Sequence, residues 1–265
     1  MDRTNRARLV PNLSKYFPWF FYVITFFVAY KYTSNNIYNL VTLKMPSSQY
    51  TMWHDIFYQL NNGLLIPFQH WIGLYFIFFQ ATSIRTMSFS ILRYSQKKCW
   101  YWNTLKELLI ICCKTITLSY LCMFILGAIR FGIPHSMDWG AYPPINQPIS
   151  IMLITSFLCR LNISFFAAVI YLLVTVWRNN GVFSYLVCLF FCFIAHLILL
   201  ITPPYMSFKR IAFASCFTYH YISEGYFLEN ILNAFGLPLL FGIISIWITY
   251  NLLDHFPERG WQECE

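Results

Sequence analysis

The stretch Arg85–Glu107, RTMSFSILRYSQKKCWYWNTLKE, is a polar, strongly basic break between two fully apolar segments. It carries Arg85, Arg93, Lys97, Lys98 and Lys106 against one acid, Glu107, and its basic run leads straight into Trp100, Tyr101 and Trp102. Between membrane spans such a loop lies on the cytoplasmic side, because Lys and Arg set orientation from within. Its length and aromatic content predict a short helix at the membrane surface. There a soluble partner is expected to grip the chain, through Arg93, Tyr94, Lys97, Lys98, Trp100 and Trp102.

The composition around this loop is that of a membrane protein. Of 265 residues, 58% are apolar and 11% charged. Soluble domains carry about 25% charged residues, so this chain could not hide its apolar surface in water. Aromatics reach 21%. The formal net charge of +8 does not point to nucleic acid, because the basic residues flank apolar spans instead of forming one face.

Reading outward from the loop gives six apolar spans. Upstream lies Leu64–Ser83, with Pro67, Gln69, His70 and Gln80 making one face polar. Before it, Thr33–Gly63 reads as polar and irregular, with Met52–Leu60 as a short helix on the outer surface. The first span is Tyr16–Tyr32, preceded by a basic segment, residues 1–15, that reads either as an amphipathic interfacial helix or as a disordered leader. No small-residue cleavage site follows the first apolar run, so no cleavable signal is expected. Downstream come Leu108–Ile129, Ile151–Trp177, a tight inner turn Arg178–Gly181, Val182–Ile201 and Ile231–Leu253. Lys114 and Arg130 are expected to snorkel to the inner and outer head groups respectively. Pro203–Asn230 is half apolar and too short to cross, a re-entrant or interfacial segment. The expected fold is therefore all-α: one polytopic membrane domain over residues 1–265, six transmembrane helices, both termini cytoplasmic. On that topology eleven of the 18 Lys and Arg residues lie inside, five outside and two within spans, as the positive-inside rule requires.

Arg160 is the costliest residue, since a mid-span Arg opposes insertion by about 2.5–3.5 kcal/mol. No Asp or Glu falls in any of the six spans to pair with it. Arg160 and Asn162, with His70 and His196, are the residues expected to line a translocation path or cavity. The competing reading is local: Arg160 bonded to Asn162, Ser164 or a neighbouring helix, and the histidines as helix–helix hydrogen-bond donors. The nine cysteines show no C-x-x-C and no zinc-ligand spacing; Cys188 and Cys192, one turn apart in an apolar span, read as packing. No metal site, catalytic residue or bound cofactor is expected. G-K-S/T, H-E-x-x-H and G-x-S-x-G are all absent from the sequence, which removes a Walker ATP site, a zinc protease and a serine hydrolase of the usual patterns. His54, Asp55, His135, Asp138 and His220 remain as outer-face residues for a less favoured enzyme reading.

With its basic N-terminal segment, its R-Y-S-Q-K-K-C-W run between spans two and three, its short turn between spans four and five and its half-apolar segment before the last span, the chain resembles the small six-span permease subunits of the ABC type-2 exporter family, whose ATPase is a separate chain. The resemblance extends over nearly the whole sequence. It implies a homo- or heterodimeric permease in the cell membrane, with two ATPase subunits that bind the ATP and dock on residues 85–107. It also implies export of amphipathic cargo such as antimicrobial peptides. A stand-alone membrane immunity or peptide-binding protein is the alternative.

Overall fold

The computed structural model describes residues 3–43, 46–61, 65–82, 97–134, 136–141, 143–144, 147–178, 180–201 and 227–253, with the side chains of 3–15, 61, 65–68, 97, 195–196, 198–201, 227–235 and 237 left aside. Among these the fold is all-helical: α1 (Arg3–Val41), a single 3-10 turn (Ser47–Gln49), α2 (Met52–Asn61), α3 (Leu65–Ala81), α4 (Lys97–Phe131), α5 (Ile149–Arg178), α6 (Gly181–Ile201) and α7 (Phe227–Leu252).

Two of these, α4 from Lys98 and α5, are long and apolar enough to cross a bilayer. Neighbouring helices alternate in direction. Phe21 of α1 meets Phe76 of α3, while Tyr22 lies beside Gln69 and His70. Cys112 and Tyr120 of α4 meet Ser164 and Ser156 of α5 in reverse order. Tyr75 and Phe79 of α3 meet Cys192 and Tyr185 of α6 in the same antiparallel sense.

The core is aromatic, with Trp71, Tyr75, Phe78 and Tyr171 packed ring against ring. The outside is apolar too: Phe20, Ile24 and Val28 of α1, Phe190 and Phe193 of α6, and Leu240, Ile243 and Trp247 of α7 are all exposed. Helices apolar on every side are those of a large core or of a membrane span. Exposed tryptophans gather at one end of the bundle: Trp102 near the start of α4, Trp177 at the end of α5 and Trp247 in the last turns of α7. Tryptophan is enriched at membrane–water interfaces. Lys98, over the ring of Tyr250, and Arg178, over Trp177, stand at the same end.

Three sequence boundaries are corrected. First, α1 does not stop at Tyr32 but runs on to Val41. Thr33 and Ser34 look like loop residues, yet both are buried and donate to Gln59 and Asp55 of α2, so this polar stretch is a helix facing a polar helix. Its backbone is also helical and continuous over residues 3–15. Second, α2 does not lie on the surface. Nearly all its side chains are buried, because it enters the bundle from the end opposite the tryptophans and runs antiparallel to α4. Met52 lies at Gly127, Trp53 at Phe124, and Leu60 near the level of Tyr120. Third, the second half of the basic loop is no separate helix: Lys97–Glu107 forms the first turns of the 35-residue α4.

Local signals explain the ends. Helix α4 stops at Gly132, whose φ of 77° is the left-handed cap that glycine adopts without strain, and its N–H bonds to the carbonyl of Ala128. Asn180 caps α6, its Oδ1 accepting from the N–H of Phe183 at 3.1 Å. Helix α5 ends at Arg178 and α6 begins at Gly181.

The contact between α1 and α3 depends on Gly73. A Cβ there would run into the ring of Tyr22. Gly73→Ala is therefore expected to cost about 1–3 kcal/mol by overpacking and to part Tyr22 from His70. Gly236→Ala, where a Cβ meets nothing, is expected to leave stability unchanged or slightly raised. Unfolding of the two purified variants in mixed detergent micelles measures both.

Candidate functional site

The site is built where α2 ends. The last carbonyls of any helix lack intrahelical partners and carry the negative end of its dipole. Leu60, one residue from the end of α2, presents its carbonyl to Arg160 of α5, whose Nη2 donates to it at 3.1 Å. Arg160 is 2% exposed, and its guanidinium lies 5.6 Å from the ring centre of Tyr120 on α4. The Tyr120 hydroxyl is in turn 2.7 Å from Ser156 Oγ, one turn before Arg160. The missing acid in the spans thus has a physical substitute. A helix terminus and an aromatic face stabilise the cation without a carboxylate.

One turn further along α5, Ser164 Oγ is 3.3 Å from His70 Nε2, and His70 Nδ1 is 2.7 Å from the Tyr22 hydroxyl. Cys112 Sγ donates to the Ser164 carbonyl. Gln69 Nε2 donates to the carbonyl and side chain of the α1 residues Tyr22 and Thr25. The structure therefore brings Arg160 and His70 onto one wall of α5. Asn162 is half-buried on the other wall, two residues and about 200° around the helix. It shares a face with Phe166, which packs against Gly242 of α7. The side chain of His196 lies outside the described residues.

At the opposite end of α2 a second polar cluster holds it to α1 and α4. Asp55 is fully buried. It accepts from the hydroxyls of Tyr30, Ser34 (2.7 Å) and Tyr50 (3.2 Å). Arg130 Nη1 donates to Ser34 Oγ at 2.6 Å, so charge reaches the carboxyl through one hydroxyl. Burial raises the Asp55 carboxyl above its ordinary range, against the three hydroxyls and Arg130, which lower it. Burial and the Asp55 charge likewise raise the Tyr50 phenol. Gln59, one turn on, accepts from Thr33 at 2.7 Å.

None of this cluster stood out in sequence beyond the His54–Asp55 dipeptide. The signal was there, in Tyr30, Thr33 and Ser34 on one edge at helical spacing, facing Asp55 and Gln59 at i, i+4 on another. Asp55 turns to its hydroxyls, while His54 Nδ1 accepts the Thr51 N–H at 3.2 Å and its ring stacks on Tyr50. Asp138 Oδ1 accepts the N–H of Gly140; His135 and His220 lie outside the described residues. Among the described residues no three His, Cys, Asp or Glu side chains gather as a metal site. Cys188 and Cys192 are buried, as packing requires.

Of the predicted partner-contact residues, Arg93 and Tyr94 lie outside the described residues, as does the side chain of Lys97. Lys98 sits 4.4 Å over the ring of Tyr250. Trp100 is only 4% exposed while Trp102 is 44% exposed. Trp100 is therefore part of the bundle, and of the two tryptophans Trp102 is the one turned outward.

Comparison of the chain with protein-family models, with curated proteins and with solved structures finds no match.

Proposed function

We propose that this chain is a six-span permease subunit of an ATP-driven exporter in the cell membrane, moving amphipathic cargo such as peptides, with ATPase subunits docked on residues 85–107. The observation that carries the reading is α4. It begins in the basic, aromatic segment and continues without a break to the far end of the bundle. There Phe124 and Gly127 hold α2, and Arg130 reaches the Ser34–Asp55 cluster. A push on Lys97–Trp102 would be carried along one rigid helix to α2 and to the carbonyl that Arg160 holds. ATP belongs on the partner chains, since no Walker sequence occurs here.

The test is purification of the tagged chain from its native membranes. An ATPase is expected to copurify, and Arg93→Ala/Lys97→Ala/Trp102→Ala is expected to weaken its association at least tenfold, with the fold intact by circular dichroism. No ATPase in the complex, or association unchanged in the triple variant, would sink the docking assignment. One observation favours the second reading, a membrane immunity or peptide-binding protein: Arg160 and His70 are engaged by partners inside the bundle. Peptide binding that survives deletion of Lys97–Trp102 would support it.

A further inference from the structure

Lys114 lies on the outward face of α4. Ile110, Lys114, Thr117 and Leu121 form one exposed stripe at helical spacing. Among the described residues no hydrogen bond or ion pair reaches Lys114, and the Thr117 hydroxyl is turned back to the carbonyl of Cys113. Its depth follows from the tryptophans. Lys114 is twelve positions beyond Trp102, about 18 Å along the axis at about 1.5 Å per residue. Half a hydrocarbon core is about 15 Å. Lys114 therefore sits near the bilayer midplane, at the level of Arg160 on the antiparallel α5, and not close enough to the inner end to snorkel as the sequence led one to expect. Glu107, the nearest acid on the same face, is two turns away, about 10 Å by the same rise.

A cation at that depth is paired in folded membrane proteins. Arg160 has its partners inside this chain; Lys114 faces out. We infer that the Ile110–Leu121 face of α4 is a helix–helix interface with a different membrane-spanning chain that carries a carboxylate at mid-depth. A second copy of this chain does not fit, because the acids of its long helices α4 and α7, Glu107 and Glu229, stand toward the helix starts and not at mid-depth, and a two-fold contact there would set lysine against lysine. The inference rests on the membrane-spanning part of the proposed function and not on the ATPase. It makes the permease pair heteromeric.

The experiment treats native membranes holding the tagged chain with the lipid-soluble reagent dicyclohexylcarbodiimide. This joins an amine to a carboxylate in contact, forming the amide while the carbodiimide takes up the water and leaves as the urea. Mass spectrometry of the cross-linked peptides is expected to find Lys114 joined to an Asp or Glu within an apolar segment of another polypeptide. Lys114→Arg is expected to keep the complex on a native gel but lose the link. Lys114→Leu is expected to lose both, at least tenfold, while leaving the unfolding of the isolated chain unaltered or more resistant. A link to a copy of this chain or to a soluble domain overturns the inference. So does an absent link in wild type, or a complex that Lys114→Leu leaves intact. Loss of the ATPase alone, as in the Arg93/Lys97/Trp102 variant, leaves the link in place, so the two proposals fail separately.

Discussion

Arg160→Ala is expected to release α2 from the bundle, the largest effect of any single change here. The variant removes a charge-assisted hydrogen bond, worth about 1.5–3 kcal/mol, and leaves the Leu60 carbonyl facing apolar surroundings. It also empties the space of one of the largest fully buried side chains in the chain, a further cost that depends on how far the site collapses. Together these predict a loss of about 3–5 kcal/mol, felt mainly at α2. Hydrogen exchange reads it directly. Amides of residues 52–61 should exchange faster by a factor on the order of a hundred, while those at the centres of α5 and α7 change far less. Arg160→Lys keeps the cation and should recover part of the protection. Uniform loosening of every helix, or protection of α2 unchanged, would show that the arginine is not its anchor.

The second large effect is at Asp55. Asp55→Leu leaves three buried hydroxyls, those of Tyr30, Ser34 and Tyr50, without their acceptor. At about 1–3 kcal/mol for each group left unpaired, with partial re-pairing among the three, the expected loss is about 3–5 kcal/mol. Asp55→Asn retains an acceptor oxygen and should lose less than half of that. The pH dependence has the less usual sign for a carboxyl. Burial raises Asp55 above the ordinary value of 3.8, so between 3.8 and its folded value the native state holds the proton that the unfolded state has released. Stability then falls as pH rises through that window. Chemical unfolding of the wild type at pH values from 3.8 upward should show this decline, and Asp55→Asn should flatten it. A rise in stability over the same range would mean that the hydroxyls and Arg130 outweigh burial.

What could be read from the chain alone was what depends on local pattern. Long apolar runs gave α5 to α7, and the end of α4, to within a few residues, because apolar content and caps such as Gly132 and Asn180 are local; the start of α4 was missed by eleven residues because its first turns are basic. Their exposed outer faces follow from the same composition. The end of α1 was misplaced because Thr33, Ser34 and Asn35 look like loop residues when taken singly. Only the opposing edge of α2, with Asp55 and Gln59, gives them helical partners. Arg160 was legible as an expense, but its partner was not. A backbone carbonyl has no letter in the sequence, and Leu60 gives no hint that its oxygen is the acceptor. Lys114 and Arg160 look alike as lone cations in apolar runs; what separates them is the direction each faces, which comes only from packing.

The order of synthesis adds a consequence to the Arg160–Leu60 contact. Helix α2 leaves the ribosome well before α5, and chains fold from the N-terminus as they are made. By the time Arg160 emerges, the carbonyl terminus that receives it can already be seated between α1 and α4. The arginine then enters a bilayer in which its acceptor is waiting, so insertion of α5 draws on the finished part of the protein and not on its own hydrophobicity alone. Moving α2 behind α5 by circular permutation would deprive the chain of that help.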